Sequence, residues 1–295
     1  MAARTMELDF EPDLRQATFG DKATRLDRTG LWWATHTPDG LGTLHVGAPS
    51  GRAVRARAWG DGGGWMLDRV GGLLGSQDDP DSFRPLHGPL VEITRRQRSI
   101  RFGRTERVVE ALLPAILGQK VQTTMAMRSL RGIVRKWGDP APGPAPDGFR
   151  AFPSARQLAR IGSFELHRHG VERKRADTII RAARVAHRLE EAVSMPSGEL
   201  ERRLRTIRGI GPWTSAWVRW QALGDADAVP VGDFHIPNNV AWVLAGEPRA
   251  DDERMLELLA PYAGHRGRVI RLIKGSGQSA PKYGPRLGLV DFSRR

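Results

Sequence analysis

The sequence predicts an α+β protein, in which a small antiparallel β-sheet domain precedes an all-helical region. Between residues 29 and 60, short apolar blocks alternate with turn signals, whereas after about residue 100 apolar residues recur with the helical period. Residues 75–90 are rich in Gly, Asp, Ser and Pro, which is typical of a domain junction. We therefore expect an N-terminal sheet and helix domain over 1–90, a helical core over 91–275 and a basic tail over 276–295.

Three strands are predicted in the first part, over 31–35, 42–46 and 53–59. Pro-Asp-Gly at 38–40 and Pro-Ser-Gly at 49–51 mark the turns between them, because proline presets φ and glycine accepts positive φ. The segment 65–70 that follows predicts a helix packed on this sheet.

The helical part begins with a stripe formed by Val108, Leu112, Leu113, Ile116 and Leu117. Further helices are expected over 121–137, 172–193 and 199–207, and no strand is expected after residue 100. Ser154 followed by Gln157 has the spacing of a capping box, in which each side chain satisfies a backbone amide of the other residue.

Composition and charge indicate a polyanionic partner. The formal net charge is +13, the sequence pI is about 11.1, and forty of the basic residues are arginine. A GC-rich genome would explain the preference for arginine, but it does not explain the excess of base over acid. Nucleic acid is the expected partner, since a domain pI above about 9 is its usual electrostatic footprint.

The chain contains no cysteine, which excludes disulfides, thiolate zinc sites and cysteine-ligated iron–sulfur clusters. No apolar run approaches the roughly 18 residues of a membrane span. Residues 1–19 lack the apolar segment of a secretory signal. We expect a cytoplasmic protein associated with the nucleoid.

Residues 204–217 carry the most specific signal, Leu-Arg-Thr-Ile-Arg-Gly-Ile-Gly-Pro-Trp-Thr-Ser-Ala-Trp. One helix ends at the Gly-Ile-Gly turn, and the next begins with Pro212 at its first position. Gly209 and Gly211 would let the backbone turn tightly and approach another surface. The free amides of the second helix and its dipole predict an anion site, for which a DNA phosphate is the natural ligand. An ordinary helical hairpin would also favour these glycines.

This stretch resembles the hairpin of the helix-hairpin-helix DNA glycosylases. In that family a loop and a carboxylate follow the second hairpin helix, and Ala-Val-Pro-Val-Gly-Asp-Phe-His at 228–235 supplies both, with Asp233 twenty residues after Trp213. Residues 112–127 and Arg-Lys-Arg-Ala at 173–176 are also similar to the family's helices. The sheet before residue 90 resembles the N-terminal domain of the alkylation-repair branch, the 3-methyladenine glycosylase II type.

The resemblance implies a monofunctional glycosylase in which Asp233 is catalytic. Bifunctional members place lysine two residues after the second hairpin glycine, where this chain has Trp213, so no Schiff base with the sugar is expected. Asp233 would stabilise the oxocarbenium-like sugar and orient or deprotonate water. A carboxylate beside Gly232 could instead simply cap the helix from His235 onward.

Trp213 and Trp217 are the implied walls of the base pocket. A ring-alkylated purine is a cation, and a tryptophan face attracts cations by about 0.5–2 kcal/mol. Trp217 could instead belong to the core, as could Trp220, which shares the same helical face.

The remaining implied roles concern DNA and a cation. Flipping a base leaves a gap in the duplex, which either Gln119 or Lys120 would fill, although the most similar branch has leucine at the second position. The residues implied to bind DNA are therefore Gln119, Lys120, Gly209, Gly211, Pro212 and Thr214. The main-chain carbonyls of Arg205, Ile207 and Gly209 would hold a structural Na⁺ or K⁺. No cofactor for catalysis is expected, the partner is damaged double-stranded DNA, and the protein is expected to be a monomer.

Two other functions stay open. The chain could be a non-catalytic DNA-binding protein that keeps the hairpin as a phosphate clamp, or a glycosylase for another lesion, such as uracil or a bulky adduct. Pocket shape decides the second alternative, and the roles of His235, Tyr262 and His265 stay unassigned. An adenine glycosylase with an iron–sulfur cluster is disfavoured by the absence of cysteine.

Overall fold

The computed structural model describes residues 1–17, 23–97 and 100–281. Within these residues, an antiparallel five-stranded sheet has the order β1-β5-β4-β3-β2. Its strands are β1 (Ala2–Glu7), β2 (Thr24–Asp27), β3 (Gly30–Thr37), β4 (Gly40–Gly47) and β5 (Ala53–Trp59). The fold class and the three predicted strands are confirmed.

The two strands that the sequence did not reveal, β1 and β2, lie at the edges of this sheet. β1 is almost wholly exposed and β2 has only four residues, so neither shows the alternating pattern of a half-buried strand. β5 does show it, since Val54, Ala56 and Ala58 are buried while the residues between them are exposed. β3 lies inside the sheet, between β2 and β4, and is buried along almost its whole length.

Opposite faces of the sheet have different neighbours. One face, with Trp33 paired to Leu44, packs into the hydrophobic core. The other face carries Trp32, whose ring stacks on that of Trp59 at a centroid distance of 5.8 Å. Gly143 belongs to the loop over 139–148, which contains four prolines. It lies against Trp59, where a Cβ would come within 2.4 Å of the indole ring. The loop therefore covers the outer face of the sheet.

Helices follow the sheet for the rest of the described chain. Their bounds are α1 (Gly63–Asp68), α2 (Val70–Leu73), α3 (Gly88–Arg96), α4 (Val108–Leu117), α5 (Thr123–Trp137), α6 (Ala155–Arg160), α7 (Ser163–His167), α8 (Arg173–Arg184), α9 (Ala186–Glu191), α10 (Ser197–Arg205), α11 (Pro212–Ala222), α12 (Ile236–Ala245), α13 (Asp252–Leu259) and α14 (Arg266–Ser276). Short 3₁₀ turns occupy Leu14–Ala17, Ala192–Ser194 and Ala260–Tyr262. The capping box of Ser154 and Gln157 is present at the start of α6.

The single helix expected over 172–193 is wrong, because the chain breaks at Val185 between α8 and α9. The apolar stripe runs through this break without glycine or proline, so local sequence gives no signal for it. Tertiary contacts explain the new direction: the Glu190 carboxylate on α9 accepts hydrogen bonds from the amides of Val108 and Val109, each 3.0 Å long. These bonds satisfy two free donors at the start of α4.

Two hydrophobic cores meet at α11. The first core joins the sheet to α4–α10 through residues such as Leu44, Leu112 and Leu204. The second core joins α3 to α12, α13 and α14. Val218 of α11 belongs to the first core and Trp220 to the second, so this helix is held from both sides.

The domain bounds at residues 90 and 275 stay predictions. The sheet shares its core with α4–α10, and residues 282–295 of the predicted tail lie outside the described residues. None of the helices described is long and apolar enough to cross a membrane.

Candidate active site

The turn between α10 and α11 requires glycine at position 209. Gly209 has φ of +101°, and a Cβ there would lie 2.1 Å from Thr178 Oγ1 on α8. The carbonyl of Arg208 accepts hydrogen bonds from Thr178 Oγ1 at 3.4 Å and from Arg181 Nε at 3.2 Å. Helix α8 therefore holds the tip of the hairpin, and any side chain at 209 would push the two apart.

Gly211 is in a different situation from Gly209. Its φ of −103° and ψ of −176° are extended backbone that other residues adopt, so the expectation that the tight turn needs this glycine is wrong. A Cβ at Gly211 would have no heavy atom within 4 Å. The open space leaves the backbone accessible to a molecule from outside.

The amides that open α11 have the arrangement expected of an anion site. Pro212 occupies the first turn and has no N–H. The main-chain amide of Ser215 donates to the carbonyl of Gly211 at 3.0 Å. The amides of Trp213 and Thr214 precede this intrahelical bond and lie at the positive end of the helix dipole.

Gln119 braces the hairpin instead of projecting from the surface. Its Nε2 donates to the Gly209 carbonyl at 2.9 Å and to Thr214 Oγ1 at 2.8 Å, and Thr214 is buried. The side chains of Gln119 and Thr214 thus hydrogen bond to each other, and the binding of these two residues to DNA stays a prediction. Lys120 is exposed and has φ of +54°, in the left-handed region that lysine rarely adopts.

Asp233 lies against the first turn of α11. Its Oδ2 accepts a 2.8 Å hydrogen bond from Trp213 Nε1, and its Oδ1 accepts from the amides of His235 at 2.8 Å and Ile236 at 3.0 Å. The amide of the preceding Gly232 donates to the Asp252 carboxylate. The carboxylate therefore caps α12 and also contacts the hairpin, so it is fixed in orientation from two sides.

The tryptophans of α11 form a row of three rings, of which the last is buried. The Trp213 and Trp217 rings are 6.0 Å apart at 60°, and the Trp217 and Trp220 rings are 4.7 Å apart at 69°. Trp220 is buried and donates to the carbonyl of Ala228 at 2.8 Å, which identifies it as a core residue. Trp213 and Trp217 are only partly buried, and Trp217 packs against both cores.

Sequence reasoning missed Lys274. Its Nζ lies 4.6 Å from the centroid of the Trp217 ring. Desolvation lowers the pKa of Lys274, and Arg271 lowers it further, whereas the nearby negative charge of Asp233 raises it. Lys274 lies on α14, far from the hairpin in sequence, so no local pattern connected it to the site.

The other residues left unassigned have structural partners. Tyr262 accepts from the amide of Leu86 and hydrogen bonds with His87, and His265 bonds with Ser82 Oγ at 2.9 Å. His235 is exposed, with its ring 4.9 Å from that of Phe234. None of these contacts includes Asp233, Trp213 or Trp217.

The cation expected at the carbonyls of Arg205, Ile207 and Gly209 stays a prediction. The Ile207 carbonyl accepts one hydrogen bond from the Ile210 amide, and the Gly209 carbonyl accepts one from Gln119. Since a carbonyl oxygen has two lone pairs, these hydrogen bonds do not by themselves prevent either carbonyl from binding a cation. Among the described residues, no group of three or more His, Cys, Asp or Glu side chains could hold a metal ion.

Comparisons with known proteins identify the family of this chain. The HhH-GPD family model, described as the HhH-GPD superfamily base excision DNA repair protein, matches residues 113–263. A DNA-3-methyladenine glycosylase of Bacillus subtilis is 26% identical over 157 residues, 52% of each chain. A probable bifunctional transcriptional activator/DNA repair enzyme AlkA of Mycobacterium tuberculosis is 31% identical over 169 residues, 55% of this chain and 33% of the relative.

The chain thus aligns with about half, or less, of these curated relatives. Among solved structures, a 3-methyladenine DNA-glycosylase from Archaeoglobus fulgidus has a TM-score of 0.75 at 20% identity, covering 92% of this chain and 96% of that one. This likeness extends the similarity of fold to both the sheet and the helices.

Proposed function

Because this chain belongs to the HhH-GPD superfamily of base excision DNA repair proteins, we propose that it is a monofunctional DNA glycosylase. It excises a damaged purine, in particular an alkylated one, from duplex DNA and leaves an abasic site. The observation that carries the proposal is the hydrogen bond between Trp213 Nε1 and Asp233 Oδ2. This bond joins a carboxylate, an aromatic wall and the amides of the hairpin in one place.

Each part of this arrangement has a distinct task. The amides at the start of α11 bind a DNA phosphate, and the damaged nucleotide leaves the stack, because its glycosidic bond is inaccessible within the duplex. The flipped base lies against Trp213 and Trp217. Asp233 then faces the sugar, where its charge stabilises the positive charge that develops as the bond breaks, and it orients the attacking water.

Lys120, and not Gln119, fills the gap that the flipped nucleotide leaves. Gln119 is engaged with Gly209 and Thr214, whereas Lys120 is exposed directly beside the hairpin. The four-carbon stem of lysine supplies apolar contact with the neighbouring bases, and its ammonium finds a phosphate.

The reaction is hydrolytic, with no cleavage of the strand. The hairpin position of a lyase lysine holds Trp213, which offers no amine. The carbonyls of Arg205, Ile207 and Gly209 hold a structural Na⁺ or K⁺ that supports a phosphate contact and takes no part in the chemistry. The enzyme acts as a monomer on chromosomal DNA in the cytoplasm.

An excision screen tests the proposal. Duplexes carrying one 3-methyladenine, 7-methylguanine, 1,N⁶-ethenoadenine, hypoxanthine or uracil are incubated with the wild-type protein and with Asp233→Asn. We expect release of at least one modified purine by wild type, with the strand intact until alkali is added. Release of uracil alone would favour the glycosylase for another lesion, and binding without any release would favour the non-catalytic DNA-binding protein.

A further inference from the structure

A lysine ammonium lies on one aromatic wall of the proposed base pocket. Lys274 Nζ is 4.6 Å from the centroid of the Trp217 ring, and it reaches this position from α14, outside the segment matched by the family model. The electron-rich face of a tryptophan attracts cations. On Trp217 the Lys274 ammonium, a cation of the protein itself, already occupies this favourable position.

A second feature of the same wall is a hydrogen-bond donor. Trp217 Nε1 is buried and has no hydrogen-bond partner among the residues that the structure describes. A buried donor without a partner is costly, so it favours a bound group that brings an acceptor. Lys274 adds the donors of an ammonium, which has no acceptor of its own.

Charged groups near Lys274 shift its pKa in opposite directions. Asp233 is the negative group close enough to raise the pKa of Lys274, and Arg271 is the positive group that lowers it. Desolvation lowers this pKa more than either charge changes it. The negative charge of Asp233 therefore acts both on the sugar that it faces and on the Lys274 ammonium beside the base.

We propose that Lys274 is a specificity-determining residue that disfavours lesions whose base carries a formal positive charge relative to neutral modified purines. A cationic base on Trp217 would meet the like charge of Lys274 at short range. The Lys274 side chain is itself exposed, so water screens part of this repulsion. A neutral purine instead offers ring nitrogens or a carbonyl oxygen to Lys274 and to Trp217 Nε1. Methylation at N3 or N7 removes one of these acceptors and adds the charge.

Lys274 also compensates for the poorer leaving group of a neutral base. As the bond between C1′ and N9 breaks, its electron pair passes to the purine, which then takes a proton from solvent. A water oxygen bonds to C1′ and gives its proton to Asp233, which then releases that proton to solvent. A hydrogen bond from Lys274 stabilises the negative charge on the departing purine, which a cationic lesion never develops. This inference rests on the proposed glycosylase activity.

The test compares one cationic and one neutral purine that share the O6 carbonyl, 7-methylguanine and hypoxanthine. Single-turnover excision of each is measured for wild type, Lys274→Met and Lys274→Arg. We expect Lys274→Met to raise the ratio of 7-methylguanine to hypoxanthine excision about tenfold, since the like charge is removed, and Lys274→Arg to keep the wild-type ratio.

Lys136 provides a matched control. Its Nζ lies 4.4 Å from the centroid of the Trp137 ring at the far end of α5 and also pairs with Glu165. Lys136→Met therefore removes an equivalent ring contact and the same charge, together with that ion pair. This variant should keep the wild-type ratio. A ratio that is unchanged in Lys274→Met, or that changes equally in Lys136→Met, would overturn the proposal, as would an equal loss of both activities.

A binding measurement separates this inference from the proposed function. Duplexes with 2′-fluoro-7-methylguanosine or 2′-fluoroinosine resist cleavage, because fluorine destabilises the positive charge on the sugar. Lys274→Met should strengthen binding to the first duplex relative to the second by about tenfold. If wild type excises nothing but this ratio shifts, the proposed function fails and the charge discrimination holds; if wild type excises but the ratio does not shift, the role of Lys274 fails.

Discussion

At the scale of residues, Gly209 and Gly211 have different tasks although their sequence setting is nearly symmetrical. Gly209 combines positive φ with a close approach to Thr178, whereas Gly211 has ordinary backbone angles and open space at its Cβ. The sequence pointed to both glycines but could not separate a folding requirement from a binding requirement. That difference depends on α8, which is distant in sequence.

Substituting each glycine by alanine tests this distinction. Gly209→Ala should lower the free energy of unfolding by about 1–3 kcal/mol, because alanine strains the backbone and collides with Thr178. Gly211→Ala should unfold within about 0.5 kcal/mol of wild type but bind duplex DNA several-fold more weakly. Urea unfolding and binding titrations supply both values, and equal losses of stability in the two variants would contradict the assignment.

A second prediction at the scale of residues concerns the hydrogen bond between Trp213 and Asp233. Trp213→Phe keeps an aromatic wall but removes the N–H that donates to Asp233 Oδ2. A hydrogen bond to a charged group contributes about 1.5–3 kcal/mol, so excision should slow by roughly 10- to 100-fold while affinity for an abasic-site analogue is kept. An excision rate equal to wild type would show that this bond does not orient the carboxylate.

At the scale of elements, local signals predicted where helices occur better than how they meet. The hairpin was predictable because glycine and proline punctuate it, and β3, β4 and β5 were predictable from alternation and turns. The break at Val185 and the position of Lys274 were not, because both depend on contacts between elements far apart in the chain. Asp233 was identified only through the resemblance to a family in which a loop and a carboxylate follow the second hairpin helix.

The α4–α5 turn gives the prediction at this scale, since Gln119 and Lys120 are neighbours with different environments. Lys120→Ala should slow excision of a lesion opposite its normal partner more than excision of the same lesion opposite an abasic site, where less pairing must be broken. Gln119→Ala should slow both to the same extent, because it loosens the hairpin. Single-turnover excision rates are measured on the two duplexes for both variants. If the two variants slow excision on the two duplexes in the same proportion, Lys120 does not fill the gap left by the flipped nucleotide.

At the scale of the whole molecule, the positive charge predicts how the protein finds its substrate. With a formal charge of +13, binding to undamaged duplex should be independent of sequence and should weaken steeply with salt. Each phosphate neutralised contributes about −0.9 to the slope of log affinity against log salt concentration. Titrations between low and high salt measure this slope, and a slope near zero would mean that the basic residues reflect codon usage alone.

The two hydrophobic cores of the molecule meet at α11, and no segment of the sequence predicted this arrangement. Trp217 packs against both cores, and the Lys274 ammonium lies over its ring. The site thus depends on segments from Gln119 to Lys274. Composition and periodicity identified the class of fold, but the relative placement of these segments follows from packing.

The most direct test of the account is the single-turnover excision rate of Asp233→Asn on the purine lesion that wild type releases fastest. Asparagine keeps an oxygen to cap α12 but loses the negative charge that we propose faces the sugar, so the rate should fall about 10²–10³-fold. Affinity for an abasic-site analogue should stay close to that of wild type. An excision rate within about threefold of wild type, far short of that loss, would show that Asp233 is only a helix cap.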